Sequence, residues 1–217
     1  MRKIDDQKQK FIIALDGPSA SGKGLIGSMI ADEFNLKYFQ SSLVYRGLAY
    51  ICIQDQIDLS KEDDIIKAAN NIDIFSRIEN IDLASEEIGS VASNISIIAK
   101  VRERLGIYLK KIINDNDRVI MEGRDIGTVI APHADLKIFI TADVNIRAER
   151  RYKQLCLSGK RCMLDDVLNQ LKTRDERDLN RSIAPLIKAK DAHLIDASKL
   201  SPSQVVCEIK TIIDELV

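Results

Sequence analysis

The sequence predicts an α/β fold, a parallel five-stranded sheet flanked by helices, and three observations predict it. The stretch FIIALDGPSASGKG, residues 11–24, runs from an apolar block through a glycine-bracketed loop into a helical pattern. Short apolar blocks of strand length then alternate with helix-period segments along the chain. A charge- and glycine-rich stretch, Glu122 to Thr128, directly follows one of those blocks, and open α/β sheets bind ligands beyond the carboxyl ends of their strands.

Phe11 to Leu15 reads as a fully buried strand, and Gly17, Gly22 and Lys23 complete a G-x-x-x-x-G-K loop whose backbone N–H groups converge on one anion. Glycine lets the backbone come close to phosphates, and the following helix aims the positive end of its dipole at them. The sheet is therefore of the P-loop NTPase type, with Lys23 as a charge for the outer phosphates. Gly24 occupies the position where many such loops carry a magnesium-binding hydroxyl, and in this it resembles the nucleoside monophosphate kinases. Leu25 departs from their usual threonine.

Leu25, Ile26, Met29, Ile30 and Phe34 give the first helix its packing face. A second strand is expected over 37–40, then a helix opened by a Ser41 cap and running to about Gln54, with Tyr45 and Arg46 in its first turns. From Ser60 to Ser93 the pattern weakens. A capping box at Ser60 and Asp63 starts one helix, a strand is expected near 72–78, and the segment reads as an insertion outside the core. Ser96 is expected to cap an amphipathic helix to Asn114, with Val101, Leu105 and Ile112 inside and Arg102 near that stripe.

Arg118 to Met121 forms the strand that empties into Glu122-Gly123-Arg124-Asp125, and Leu136 to Thr141 forms the next. Asp143 caps a helix carrying Arg147, Arg150 and Arg151 at i, i+3 and i+4. That helix breaks near Ser158-Gly159-Lys160 and a second begins by Leu164, so the basic tip has the form of a mobile lid. In TRDERDLNR one narrow face carries Arg174, Asp178 and Arg181, either as a solvated ion-pair ladder or as part of a site. A last strand over 192–196 and a helix opened by Ser201-Pro202 complete the pattern.

A chain of 217 residues with 45% hydrophobic and 30% charged residues can bury a core, and its formal net charge of −1 predicts no global attraction to nucleic acid or to an anionic membrane. Phosphate chemistry must then use local arginines. The four cysteines lack C-x-x-C spacing, which fits reduced thiols in a cytoplasm. No apolar run approaches the ~20 residues of a membrane span, and no signal peptide is expected. Residues 1–10 read as a charged tail, and a monomer is expected.

A nucleotide-hydrolysing switch would carry a guanine-reading N-K-x-D, which the chain lacks, whereas transfer to a second substrate needs a second anion site. If the acceptor is itself a phosphate, it is largely ionised at neutral pH and needs no general base. Catalysis then consists of aligning two anions, neutralising their repulsion and excluding water.

GPSASGKG, SSLVYRGLA, EGRDIGTV and RDERDLNRSIAPL, in this order and spacing, resemble the bacterial cytidylate kinase family over nearly the whole chain. The resemblance implies phosphoryl transfer from ATP to CMP or dCMP with Mg²⁺. It implies a P-loop core over 11–40 and 96–217, a monophosphate-binding insertion over 41–95, and a lid over 150–165. Gly17, Pro18, Ser19, Ala20, Ser21, Gly22, Lys23, Gly24 and Leu25 would hold ATP. Ser41, Tyr45 and Arg46 would form part of the monophosphate site, and Ser93, Arg102 and Asp125 would read the cytosine edge. Arg124, Arg174 and Arg181 would surround the acceptor phosphate, Asp178 would hold a sugar hydroxyl, and Arg150 and Arg151 would reach the transferring group from the lid. Mg²⁺ would be held by phosphates and water, with Glu122, where the family has aspartate, acting through water. Two alternatives stand beside this reading: the same fold with another acceptor, such as UMP, AMP or a small hydroxylated metabolite, and a regulatory protein that senses ATP.

Overall fold

The computed structural model describes residues 10–70 and 81–216. They group into two compact units, one of Met1–Phe39 with Asn116–Val217 and one of Gln40–Asp115. The strands are β1 (Phe11–Asp16), β2 (Lys37–Gln40), β3 (Arg118–Gly123), β4 (Leu136–Thr141) and β5 (His193–Asp196). The helices are α1 (Lys23–Phe34), α2 (Ser41–Gln54), α3 (Glu62–Asn70), α4 (Glu86–Ile95), α5 (Ala99–Asn114), α6 (Val144–Leu157), α7 (Leu164–Asn180) and α8 (Pro202–Leu216).

In the first unit the strands form one five-stranded sheet of order β2-β3-β1-β4-β5, the helix-flanked parallel sheet that the sequence predicts. All six residues of the central strand β1 are buried. Successive side chains of a strand point to opposite faces. Phe11, Ile13 and Leu15 accordingly join Ile26, Ile30 and Phe34 of α1 and Val205, Ile209 and Ile213 of α8 in one core. Burying each such side chain contributes about 1.5–3 kcal/mol. Register sets the functional edge: Asp16 of β1 lies opposite Gly123 of β3, so the loops leaving both strands emerge side by side.

Helices α6 and α7 pack through Ala148, Leu155, Val167 and Leu171. Between them α6 closes with Gly159 at φ +75°, its neighbour Lys160 donating from its N–H to the Leu155 carbonyl at 3.0 Å, which is the six-to-one bond of a glycine-terminated helix.

In the second unit α2 packs on α4 and α3 on α5, burying Leu48, Cys52, Ile65, Ile88, Val101 and Leu105. Three sequence expectations need correction here. Helix α4 was not foreseen, because its inner stripe of Ile88, Ala92 and Ile95 is narrow and interleaved with the small residues Gly89 and Ser93. Ser85 caps it, accepting from the Ile88 N–H at 3.2 Å. Ser96 ends α4 rather than starting α5; its hydroxyl donates to the Ser93 carbonyl at 2.8 Å, and α5 begins after Ile98. Ser60 donates its hydroxyl and its N–H to Asp58 Oδ1 at 2.6 and 3.0 Å, a turn that takes the place of the expected capping box. The strand expected near 72–78 lies outside the described residues. Helix α5 packs on α3 and α2, and its residues group with them in the second unit.

Candidate functional site

The loop after β1 is shaped by close approach. A Cβ on Gly17, whose φ is +148°, would lie 2.0 Å from the Ile140 carbonyl oxygen of β4, so only glycine fits there. Gly22 turns the chain at φ +95° into α1. Lys23 is buried, with Nζ donating to the Pro18 carbonyl at 2.7 Å and to Ser21 Oγ at 3.3 Å. Burial, and next the Arg124 guanidinium, push the Lys23 ammonium down to about 7 from 10.5. Leu25 points outward from the first turn of α1 and is 57% exposed.

Beyond β3 the arginines expected at the acceptor site assemble around one carboxylate. Arg124 donates from Nε to Asp178 Oδ2 at 3.0 Å, and Arg181 Nη1 stands 3.6 Å from Asp178 Oδ1. Arg181 Nη2 also lies 3.7 Å from Asp125 Oδ1, and its Nε donates to the Ala184 carbonyl. Burial raises the Asp178 pKa, but the charges of Arg124, Arg174 and Arg181 outweigh burial and hold it below its ordinary value. Asp125 and Asp178 are both buried. Arg124 and Arg174 also act electrostatically on Lys23. Lys23, Arg124 and Arg174 thus share one electrostatic environment, suited to binding several phosphate charges.

In the second unit Arg46 donates from Nη1 to the carbonyls of Leu83 and Ser85, at 2.5 and 3.1 Å. Gly89 makes room for it, since a Cβ there would meet Arg46 Nη2 at 2.8 Å. Arg102 is buried, donates to the Ser96 carbonyl at 3.1 Å, and carries its guanidinium 5.5 Å over the Tyr45 ring. Ser93 is buried on α4. Ser41 is buried as the first residue of α2, where Gln40 takes the cap position.

Of the two lid candidates, Arg150 donates to the Ala197 carbonyl at 2.6 Å and Arg151 to Gln154 Oε1 at 2.9 Å. Arg147 instead reaches the loop after β1, with Nη1 bonded to the Ser19 carbonyl at 3.1 Å and paired with Asp175 at 2.7 Å, and Nε bonded to the Ala142 carbonyl at 2.8 Å. Sequence reading missed Arg147, Asp175 and Asp16. Only Asp16 left a signal, as a lone acid closing an apolar strand just before Gly17. It is buried and accepts from the Ile126 and Gly127 N–H groups; burial pushes its pKa up to about 6 against those two bonds.

Among the described residues no cluster of three or more histidines, cysteines, aspartates or glutamates is built for a metal ion. Glu122 Oε2 is nevertheless buried without a hydrogen-bond partner, and its charge acts on Lys23. No helix of the described residues is long and apolar enough to cross a membrane.

A family model described as "Cytidylate kinase" matches residues 13–215. Proteins named cytidylate kinase from Rickettsia bellii (strain OSU 85-389) and Rickettsia canadensis (strain McKiel) are each 54% identical to the chain, over 94% and 95% of it and 93% and 94% of their own lengths. Among solved structures, a gluconokinase from Sinorhizobium meliloti 1021 shares the fold with a TM-score of 0.54 at 13% identity, covering 97% of this chain and 95% of its own.

Proposed function

The chain belongs to the cytidylate kinase family and is a phosphotransferase, and we propose that it moves the γ-phosphoryl group of ATP onto the phosphate of CMP and dCMP, giving CDP and dCDP. The observation that carries this reading is the cluster of Arg124, Arg174 and Arg181 around Asp178, electrostatically joined to Lys23. Lys23 and the backbone of residues 17–25 take the donor phosphates. Arg124, Arg174 and Arg181 neutralise the acceptor phosphate, and Asp178 keeps their guanidiniums in place while remaining free to accept from a sugar hydroxyl. Ser41, Tyr45, Arg46, Ser93 and Arg102 are the second unit's contacts with the monophosphate. Arg150 and Arg151 serve the transferring group once they leave their present carbonyl and amide partners. The reaction needs no general base, because the attacking oxygen is already ionised.

Asp125 is the reader of the base. Cytosine presents an amino donor that a carboxylate accepts, and uracil presents a carbonyl at the same place. Mg²⁺ supplies neutralisation of the phosphate charge when bound. The unpartnered Glu122 oxygen suits a hydrogen bond from a water of that ion. The protein is expected to act as a cytoplasmic monomer on free nucleotides, and its net charge of −1 gives no general attraction to nucleic acid or to an anionic membrane. The product identifies the reaction. Phosphorus NMR of CMP, ATP and Mg²⁺ incubated with the protein is expected to show ADP and a new cytidine diphosphate; transfer to a sugar hydroxyl instead of the phosphate would overturn the proposal.

A further inference from the structure

Asp16 links the donor loop to the turn after β3. It is the last residue of β1, next to Gly17, and is 5% exposed. Its Oδ1 accepts from the Ile126 N–H at 2.9 Å and its Oδ2 from the Gly127 N–H at 2.7 Å. Those two N–H groups open a single wide helical turn, Ile126–Ile130, where the first donors of a helical segment have no partner within it. Asp125 directly precedes them, and its carbonyl accepts from the N–H groups of Val129 and Ile130 at 2.9 and 3.2 Å. The turn is closely packed around the acid: a Cβ on Gly127 would sit 3.4 Å from Asp16 Oδ2 and 3.2 Å from Lys137 Cδ.

We infer that Asp16 is a positioning residue for substrate choice: by holding Ile126 and Gly127 with its two oxygens, it fixes Asp125 relative to the phosphate loop. The inference rests on the reading of Asp125 as the base contact. A carboxylate is suited to this task because both of its oxygens accept, whereas an amide of the same shape would turn an NH₂ group toward one of the two donors. Such a mismatch leaves a buried N–H unsatisfied and loosens the turn.

The test is a double-mutant cycle on the full chain, with Asp16→Asn, Asp125→Ala and the double variant assayed for kcat/KM with CMP and with UMP and for the KM of ATP. Asp16→Asn is expected to lower the CMP-to-UMP ratio about tenfold while the KM of ATP moves by less than about threefold. In the Asp125→Ala background it is expected to add little. Equal losses with CMP and UMP, or a shift in the KM of ATP as large as the loss of ratio, would overturn the inference. If Asp125→Ala alone leaves the ratio unchanged, the base reading itself fails, and amide hydrogen exchange then decides the role of Asp16. Faster exchange confined to Ile126 and Gly127 in Asp16→Asn supports positioning, and unchanged exchange there overturns it. Should Asp16→Asn not fold, Asp16→Glu keeps the charge and both acceptor oxygens but carries them one methylene further out, displacing the same two N–H groups. A smaller fall in the CMP-to-UMP ratio supports the inference, and an unchanged ratio refutes it.

Discussion

Arg124 donates from Nε to the Asp178 carboxylate at 3.0 Å, and this pair anchors the arginine cluster beyond β3. Asp178 is the carboxylate that Arg124 and Arg181 share. Without it the guanidiniums would repel one another in a largely buried setting. Removing one partner of a buried ion pair costs about 3–5 kcal/mol, so Asp178→Ala is expected to lose about 3 kcal/mol in urea unfolding, with part recovered by added sulfate. A loss below about 1 kcal/mol would contradict the pairing. The sign with pH follows. Its folded pKa lies below the ordinary 3.8, so the stability it contributes is present above that value and is lost as pH falls through the lower folded pKa.

Arg181 touches both Asp125 and Asp178. Arg181→Ala is expected to lower kcat by about a hundredfold or more while leaving ATP affinity within a few fold, because the proposed function assigns its charge to the acceptor. Separate measurements of turnover and of ATP binding check this. Retention of most of the activity would remove Arg181 from the site.

Lys23 is held down to about 7 by burial and by Arg124, so at pH 8 the free enzyme carries it largely neutral. Bound phosphates favour the charged form and raise its pKa. ATP binding at pH 8 is therefore expected to take up protons, seen as a dependence of the calorimetric heat on buffer ionisation enthalpy. Lys23→Arg, always charged, should abolish the part due to this residue.

Two glycines with positive φ should respond differently to alanine. Gly17→Ala drives a methyl group into the Ile140 carbonyl of the central sheet and is expected to destroy ATP binding and to destabilise the fold. Gly159 has nothing within 4 Å of a Cβ, so Gly159→Ala is expected to cost only the left-handed backbone penalty of about 1 kcal/mol. Thermal unfolding of both variants checks the contrast.

The parts of this molecule that were legible in the sequence are those whose signal is local. The apolar block, the glycine spacing and the helix after Lys23 all lie within one short stretch, and β1, its loop and α1 follow from it. Helix α4 was hidden because small residues on its inner face weaken the periodicity. Arg147 reads in the sequence as one of three arginines on one helix face, and its partner Ser19 is 128 residues away, so only folding brings the two together. Asp16 was missed for a related reason. Its two donors lie 110 and 111 residues on, so a carboxylate that ends a buried strand read simply as the start of a turn.

The most direct test of the account is ADP release from ATP and Mg²⁺ with CMP, dCMP, UMP, AMP and GMP supplied separately, against a blank without acceptor. The account predicts release driven chiefly by CMP and dCMP. Equal release with UMP would contradict the cytosine reading at Asp125, and nucleotide binding without acceptor-dependent release would contradict phosphoryl transfer itself.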